Sequence, residues 1–406
     1  MEVIGKNLPH DLNHSHHACD SIADQFDYFS PVPLEVAQVG CIDGYVRPVS
    51  GVNDTGPFTF VLDPQGDTFL KLNSLHLYAK YKVVKGDGTD IGDNEDVSIV
   101  NNFANSVWKQ TEVLINDVEW YGGSAVMSNL KSYAETILMY EESSKDTHLR
   151  TSIFHMDTPG KFDDHAGNKG YEKRKAYIAK SREFDCVCPL NHDFLRNKNH
   201  LMPGQKLTIR LTRAPDEFLI LTGTDNTYKL QIKELRLYAD RLQLTGEATQ
   251  KIMSSSPHNM LGNRTEMKSF ALPTGLTEKT ITLTNGGILP KAIVVMQVDT
   301  AALHGAFKSN PYNFKHNNLN RINLRVNGTS VPSDGYRPDF KQDLFMREYN
   351  SLFMNTGMYR VDRGNCITYE GFKEGSTMFV YDLTVDKCAM HHGKLLNKKI
   401  KRKKNL

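Results

Sequence analysis

No run of apolar residues in this sequence is long enough to cross a membrane, because a spanning helix needs about 18 or more in succession. The first ten residues lack the apolar segment of a signal peptide, so we do not expect export through the secretory pathway. Without export, cysteine thiols are expected to stay reduced. The six cysteines form no dense framework and are scattered along the chain: Cys19, Cys41, Cys186, Cys188, Cys366 and Cys388. We therefore expect neither a membrane protein nor a small fold held together by disulfides.

The sequence also lacks the short motifs of the common enzyme classes. There is no Gly-x-x-x-x-Gly-Lys-Ser/Thr phosphate loop, no His-Glu-x-x-His, no Gly-x-Ser-x-Gly and no Cys-x-x-Cys. Strands do not alternate regularly with long amphipathic helices, which disfavours a Rossmann or TIM architecture. We therefore predict a protein that is not an enzyme and that uses no cofactor.

Short β-type runs make up most of the chain. In residues 72–84, apolar and polar side chains alternate with the period of two that is typical of a half-buried strand. Similar runs are predicted at 58–62, 111–116, 183–188, 206–213, 218–221, 228–239, 279–284, 292–298, 322–326 and 377–383. Two polar segments interrupt them, a Gly-rich loop at 85–94 and a long excursion at 141–182. This pattern predicts an all-β protein of two tandem jelly rolls, with short helices in the loops between strands.

One arrangement occurs twice. A strand ends at Asn116 and is followed by a helical stretch that contains Tyr133, and a second strand ends at Asn327 and is followed by a helical stretch, 339–353, that contains Tyr349. The two asparagines and the two tyrosines are separated by almost the same length of chain. Two landmarks at nearly one offset indicate a tandem pair of similar β domains.

The predicted repeat divides the chain into four parts. Residues 1–35 form an N-terminal arm, residues 36–250 the first jelly roll, residues 251–390 the second jelly roll, and residues 391–406 a basic C-terminal tail. The polar segment around 254–263 is the predicted linker between the rolls.

Several clusters contain residue types that bind metals, and each also has a simpler interpretation. Cys186 and Cys188 lie on one face of a strand, where two small apolar side chains in the core are expected rather than half of a metal site. The Asp163-Asp164-His165 cluster is interpreted as the solvated tip of a long loop rather than as a general base. We predict no metal site at two His-rich segments either, residues 10–20 and 391–392.

Two further features are interpreted as structural rather than as ligand-binding sites. The acidic loop 86–96 has the composition of a calcium loop but lacks the ligand spacing and flanking helices of an EF-hand. Trp108 and Trp120 flank the first repeated strand; they are interpreted as packing residues rather than as platforms that stack nucleic-acid bases.

Positive charge is concentrated at one end of the sequence. The net charge is only +2, yet residues 394–406 contain seven Lys and Arg and no acid, so the remainder is net acidic. Such a run can contact phosphates and release counterions, which gives affinity for nucleic acid without sequence specificity. The same residues could serve as a nuclear localisation signal or only as a solubilising tail. The candidate nucleic-acid contacts are Lys398, Lys399, Lys401, Arg402, Lys403 and Lys404.

Several stretches, taken in order, resemble one family. They are residues 100–116, 133–138, 201–213, 228–244, 310–317, 327–328 with 331–332, and 379–384. With these stretches the chain resembles the double jelly-roll major capsid protein (hexon) of Polinton/Maverick elements and their adintovirus relatives. The resemblance covers most of residues 50–385 and leaves out the arm and the tail.

The resemblance implies a structural role. In that family two rolls stand side by side, and three chains form a trimer of nearly hexagonal outline that tiles an icosahedral shell around DNA. The implied partners are further copies of the chain, penton or other minor capsid proteins, and packaged double-stranded DNA contacted through the tail. The implied location is the virion, with assembly in the host cell and, given the basic run, in its nucleus.

Three other functions remain open at this point. A β-sandwich binding module, such as a receptor-binding protein, would show a shallow polar and aromatic pocket. A vertex (penton) protein usually needs only one roll, which the duplication disfavours. A cupin-type enzyme would place His and Glu metal ligands on neighbouring strands, and no such spacing occurs in the sequence.

Overall fold

The structure, a computed structural model, describes residues 37–93, 95–120, 126–255, 260, 262–283, 288–365 and 367–384. Its strands are β1 (Gln38–Val46), β2 (Phe58–Leu62), β3 (Thr68–Leu70), β4 (His76–Lys85), β5 (Val97–Ile99), β6 (Trp108–Ile115), β7 (Val118–Glu119), β8 (Phe184–Pro189), β9 (Leu207–Arg213), β10 (Ile220–Thr222), β11 (Tyr228–Leu244), β12 (Ala292–Met296), β13 (Ile322–Val326), β14 (Thr329–Tyr336) and β15 (Met378–Asp382). We call the unit of β1–β11 the first roll and the unit of β12–β15 the second roll.

Helices are short and lie between strands. They are α1 (Phe103–Ser106), α2 (Ser128–Met139), α3 (Glu142–Asp146), α4 (Lys169–Ile178), α5 (Asp216–Leu219), α6 (Gly246–Ser254), α7 (Thr300–His304), α8 (Met346–Thr356) and α9 (Tyr369–Lys373). Single 3-10 turns occur at Leu72–Ser74, His148–Ser152, Ala179–Ser181 and Asp193–Arg196. The predicted fold class, mostly sheet with short helices in the loops, is confirmed.

The strand order of the first roll is that of a jelly roll. One sheet has the order β1-β11-β4-β8, with β3 also paired to β11, and the other has the order β2-β9-β6-β7. The pairs within these sheets are antiparallel. Consecutive long strands therefore switch between two facing sheets, except for the β6–β7 hairpin. Eight strands wound in this way into two packed sheets define a jelly roll.

Alternating side chains form the core between the two sheets. In β4 the residues Leu77, Ala79 and Tyr81 are buried, and each is flanked by half-buried neighbours. Phe60 of β2 and Ile209 of β9, which are paired, are fully buried in the opposite sheet. Burying one such large apolar side chain contributes about 1.5–3 kcal/mol. The period-two pattern of the sequence is therefore the pattern of core contacts.

The predicted repeat is found in two hairpins with the same turn. Asn116 and Asp117, between β6 and β7, have φ values of 48° and 67°, and Asn327 and Gly328, between β13 and β14, have values of 48° and 83°. Two central residues with positive φ characterise the type I′ turn, which Asn and Gly favour. A helix follows each hairpin, α2 in the first case and α8 in the second.

The repeat extends to the strands around each hairpin. β8 pairs antiparallel with β4, and β15 pairs antiparallel with β12. In both rolls, then, a strand is followed by a hairpin, by a helix and by a strand that pairs with the first one. β12, β13, β14 and β15 are thus the counterparts of β4, β6, β7 and β8.

Four sequence-based element predictions need correction. The predicted strand 218–221 begins only at Ile220, because Phe218 and Leu219 belong to the helical turn α5. Residues 279–283 lie in no strand, because no backbone partner flanks them among the described residues. The second helical stretch begins at Met346 rather than at residue 339, because the Asp339 carboxylate accepts hydrogen bonds from two backbone N–H groups, two and three residues later, and forms a turn. The predicted strand 72–84 begins with a 3-10 turn and becomes a strand only at His76.

Candidate assembly interface

A pair of stacked tyrosines joins the two rolls. The rings of Tyr133, on α2, and Tyr312 have centroids 3.9 Å apart and planes inclined by 13°. Both residues are fully buried. The Tyr312 hydroxyl forms a hydrogen bond of 2.5 Å with the Ser106 hydroxyl at the end of α1. This contact connects residues that are far apart in the sequence, so its burial depends on both halves of the chain.

A backbone connection lies next to the tyrosine pair. Phe314 is fully buried and receives a hydrogen bond at its carbonyl from the Thr377 N–H, and its own N–H donates to the Gly375 carbonyl at 2.9 Å. Gly375 has a φ of +121°, and a Cβ on it would overlap the ring of Phe162, which comes from the long excursion. Only glycine meets both requirements. The close contact between Gly375 and Phe162 shows that the excursion packs directly on the second roll.

Within the Asp163-Asp164-His165 cluster, Asp163 contacts the second roll and His165 contacts the first, whereas Asp164 is exposed. Asp163 accepts from the Asn310 backbone N–H at 2.8 Å and from the Asn313 side chain at 2.7 Å, and its carboxylate lies 3.3 Å from Lys315. His165 lies 2.8 Å from Asp96 of the first roll. The solvated-tip interpretation is therefore wrong for Asp163 and His165, because the loop folds back against the start of the second roll, and it holds for Asp164, whose side chain is 57% exposed.

Two connections extend the interface beyond its centre. The Thr222 N–H donates to the Phe307 carbonyl at 2.8 Å, which continues the β5–β10 pair towards the second roll. The buried Lys145 ammonium donates to the Asn365 carbonyl. The two rolls therefore share one hydrophobic core rather than meeting through a thin polar contact.

A buried ion pair holds the excursion in place. Arg174, on α4, is fully buried and donates to the Asp157 carboxylate, the Ile99 carbonyl and the His155 carbonyl, each at 2.7–2.8 Å. Asp157 is 2% exposed. A guanidinium this deep is stable only when its donors are paired, so the excursion is fixed to β5 and not free in solvent.

Two histidines of the first roll are kept neutral by their surroundings. Burial lowers the pKa of His155 to about 4, helped by the nearby charges of Arg150 and Arg174. Burial likewise lowers the pKa of His192 to about 4, and the positive charge of Lys131 acts in the same direction.

This arrangement predicts a loss of stability in mild acid. Because the pKa of a histidine in the unfolded chain is about 6.5, the unfolded chain binds protons in mild acid that the folded chain does not bind. The free energy of unfolding should reach its maximum above pH 6.5. It should fall as the pH decreases towards 4, by at most about 1.4 kcal/mol per pH unit for each proton that the unfolded chain binds in excess. Urea denaturation at several pH values checks this. His192→Asn, which retains an acceptor for the Phe194 N–H, should flatten the pH dependence, and an unchanged slope would contradict it.

The remaining predicted site residues serve packing where the structure describes them. Cys186 and Cys188 are buried in the core, and burial raises the pKa of the Cys188 thiol to about 12. Trp108 is 2% exposed and packs edge-on against Phe58, while the half-buried Trp120 packs against a phenylalanine of the first roll. The core interpretation of the cysteines and the packing interpretation of the tryptophans are confirmed.

Several other predicted features lie outside the described residues. They are residues 1–35, which hold the N-terminal histidines, and the tail with Lys398, Lys399, Lys401, Arg402, Lys403 and Lys404. Within the described part of the chain, no group of three or more His, Cys, Asp or Glu side chains could hold a metal ion. None of the helices in that part of the chain has the length and hydropathy of a membrane span.

Similarity to known proteins shows the fold of this chain but not its family. No family model matches the chain. An uncharacterized protein of Caenorhabditis elegans is 22% identical over 347 residues, which cover 81% of this chain and 80% of that protein. A chain in the 3.5 Å cryo-EM structure of the Sputnik virophage matches with a TM-score of 0.54 at 10% identity and covers 97% of this chain and 83% of that chain. The fold is a double jelly roll. A chain of the PBCV-1 virus capsid also matches, with a TM-score of 0.43, 9% identity and coverage of 87% and 80%.

The residues that join the two rolls could not be identified from the sequence. The block 310–317 contributes to the sequence resemblance, but nothing in its local pattern indicates that Tyr312 stacks on Tyr133. The signal that was present was the density of Asn, Tyr and Phe in that block, since buried tyrosines and asparagines need hydrogen-bond partners.

Proposed function

We propose that this chain is the major capsid protein of a DNA virus or virus-like element and that its work is structural. The observation that carries the proposal is the match over nearly the whole chain to a component of the Sputnik virophage structure. The core shared by the two rolls supports it, because both rolls of a shell subunit contact neighbouring subunits and must therefore keep a fixed position relative to each other.

The geometry supports a trimer as the assembly unit. Two similar rolls in one chain place six similar edges around a threefold axis, and six similar edges can tile a flat facet. Closed cyclic symmetry is the usual solution for copies of one chain. The proposed partners are therefore two further copies within a capsomer, then neighbouring capsomers, and penton or other minor capsid proteins at the vertices.

An exposed strand edge offers a surface for such contacts. Among the residues that the structure describes, β1 pairs on one side only, with β11, and it and the following residues keep large apolar side chains exposed. They are Val39, Ile42, Tyr45, Val49 and Val52, and Val39 is 62% exposed. An unprotected apolar edge of this kind usually becomes covered by association.

Light scattering on the purified full chain tests the proposal. We expect a mass of three chains of 45.9 kDa each and a three-lobed, hexagon-edged outline in negative stain. A stable single-chain mass at all concentrations, with ligand binding in place of assembly, would favour the alternative, a β-sandwich binding module. The open groove of about 380 Å³ beside β4 and β11 does not favour that alternative, because its lining is charged and aliphatic and contains no aromatic side chain. The lining residues are Arg47, Val52, Lys80, Glu183, Lys233, Glu234 and Leu235.

The sequence resemblance supports a finer assignment. The ordered blocks between residues 50 and 385 support a capsid protein of the Polinton/Maverick and adintovirus type. The corresponding location is the virion, and the basic run 394–406 supports assembly in the host nucleus. The division at residues 35, 250 and 390 into arm, two rolls and tail is part of the same proposal.

Contact with packaged double-stranded DNA through the tail has a quantitative consequence. Replacing the six tail residues by glutamine should make the slope of log affinity against log salt shallower by about 5, since each phosphate contact contributes about 0.9. Replacing the five lysines among them by arginine keeps the charge and should leave the slope unchanged. Fluorescence anisotropy with a DNA duplex measures both variants. The six are Lys398, Lys399, Lys401, Arg402, Lys403 and Lys404. Equal slopes for the wild type and the glutamine variant would show that the tail does not contact DNA phosphates.

A further inference from the structure

The helix that follows the hairpin is buried in the first roll and partly exposed in the second. α2 and α8 are counterparts in the repeat, and they align on Tyr133 and Tyr349. Every residue of α2 is buried or half-buried. The buried residues of α8 lie on one side of the helix: Glu348, Ser351, Leu352 and Thr356. The two helices therefore hold the same place in their rolls but have different surroundings.

One side of α8 is exposed where α2 is covered. Met346, Asn350 and Met354 are spaced four residues apart and lie on one face of the helix, which we call the α8 face. Met346 is 64% exposed and Met354 is 49% exposed. The aligned positions of α2 are all buried and apolar: Leu130, Ala134 and Leu138. An exposed apolar face on a helix whose counterpart is buried indicates a contact with another polypeptide.

The chain on either side of α8 adds to this apolar surface. It exposes three more large apolar side chains, which precede and follow the helix within a few residues: Leu344, Tyr359 and Val361.

The contact that covers α2 shows what kind of neighbour to expect. The ring of Tyr312 stacks on Tyr133 at 3.9 Å, and Phe314 lies edge-on to the same ring at 6.0 Å. α2 therefore packs against the other roll of its own chain. The first roll of the same chain leaves the α8 face exposed, so a roll that covers α8 in the corresponding way has to come from a second copy.

We infer that the α8 face docks on the first roll of a second copy of this chain. The inference rests on the proposed trimer, because rolls alternate in a closed ring of three two-roll chains. Each second roll then has its own first roll on one side and the first roll of the next chain on the other. The contact is heterologous, between two different surfaces of one chain, and contacts of this type can close into rings.

The first roll exposes one cluster of large apolar side chains that suits this contact. The cluster lies on β1 and the residues after it, and we call it the β1 surface: Val39, Ile42, Tyr45, Val49 and Val52. Within the described residues, the other large apolar side chain that this roll exposes is Val118, on β7 in the opposite sheet. The β1 surface is therefore the part of the first roll that docks on the α8 face.

The two surfaces carry opposite net charge. Residues 38–63, which include β1, contain three acids and one arginine. Residues 344–363, which include α8, contain three arginines and two acids. One of these two acids, Glu348, is buried and accepts a hydrogen bond from the Arg337 N–H, so the exposed charge beside α8 is mostly positive. Opposite charges favour encounter and fix the orientation of the two surfaces.

An acidic residue of β1 would gain from a positive neighbour. Asp43 is exposed and pairs across the sheet with Asp240 of β11, and like charges at paired positions repel each other. Lys71 offsets part of this repulsion from the Asp240 side, at 3.6 Å. Beside α8, Arg360 and Arg363 are exposed. We expect one of these arginines of the next chain to pair with Asp43.

Peroxide oxidation of methionine in the full chain, read by mass spectrometry, tests the inference. The probe is hydrogen peroxide, and Met253, which is 45% exposed and belongs to neither surface, is the internal reference. In the trimer fraction Met346 and Met354 should oxidise more slowly than Met253 by about tenfold or more, since oxidation follows exposure.

Three variants identify the mating surface. Ile42→Asp, on the β1 surface, and Met354→Asp, on the α8 face, should each convert the trimer to single chains in light scattering. In the single chains of Ile42→Asp, Met346 and Met354 should oxidise as fast as Met253. Val118→Asp replaces a side chain that is 71% exposed outside both surfaces and should leave the trimer intact. All three positions are exposed, and circular dichroism of each variant checks that the fold is kept.

The remaining outcomes contradict the inference in separate ways. A trimer in which Met346 and Met354 oxidise as fast as Met253 would overturn the inference and leave the proposed trimer standing. Slow oxidation that persists in single chains of Ile42→Asp would show that the chain covers its own α8 face. An Ile42→Asp variant that stays trimeric would show that the β1 surface is not the mate. A single-chain mass for the wild type at all concentrations would overturn the proposed trimer as well.

Discussion

Replacing Tyr312 by alanine is expected to lower the free energy of unfolding by about 3–5 kcal/mol, the range for removing a large buried aromatic side chain. The ring is fully buried between the rolls and stacks on Tyr133 at 3.9 Å. Its removal leaves a cavity in the centre of the shared core, which cannot collapse because both rolls are fixed by other contacts. Urea denaturation followed by circular dichroism measures the change.

Two control variants separate the contributions to this loss. Tyr312→Phe removes only the hydrogen bond to Ser106 and should cost about 1 kcal/mol. Tyr359→Ala removes a tyrosine that is 43% exposed and should change stability little. If Tyr312→Ala behaved like Tyr359→Ala, the two rolls would not share a core in solution.

Replacing Asp157 by alanine is expected to have an effect of similar size, about 3–5 kcal/mol, because it leaves the fully buried Arg174 without its counter-charge. The cost is that of an unpaired buried charge rather than that of a lost attraction. Loss of the long excursion from the interface should accompany it, visible as faster proteolysis between residues 141 and 182.

The exposed ion pair of Asp225 and Lys308 provides the matched control. Their side chains are 95% and 58% exposed, so Asp225→Ala should leave the denaturation midpoint unchanged. The double variant Asp157→Leu with Arg174→Met should recover part of the loss, since it removes both charges together. An Asp157→Ala midpoint equal to that of Asp225→Ala would contradict the structural role of the buried pair.

The sequence predicted the parts of the fold that depend on local patterns. Alternation in residues 72–84 indicated β4, and the asparagine at each hairpin indicated the repeat, because positive φ at both turn positions restricts the residue type. The core positions of Cys186 and Cys188 followed from their spacing on one strand face.

The parts that sequence reasoning missed depend on contacts between distant segments. Residues 279–283 have strand propensity but lack a backbone partner among the described residues, and propensity alone does not form a strand. Asp163 looked solvated because its neighbours in sequence are polar, whereas its partners, Asn310 and Asn313, come from the other roll. Arg174 gave no sign of burial, since its hydrogen-bond partners come from two other segments, β5 and residues 155–157.

A single-particle cryo-EM reconstruction of the purified full chain tests the central claim most directly. We expect a threefold-symmetric particle in which each chain contributes two adjacent jelly rolls, six in all, with the Tyr133–Tyr312 contact at the junction of each pair. A particle without threefold symmetry, or one in which the two rolls of a chain are separated by a flexible linker, would contradict it.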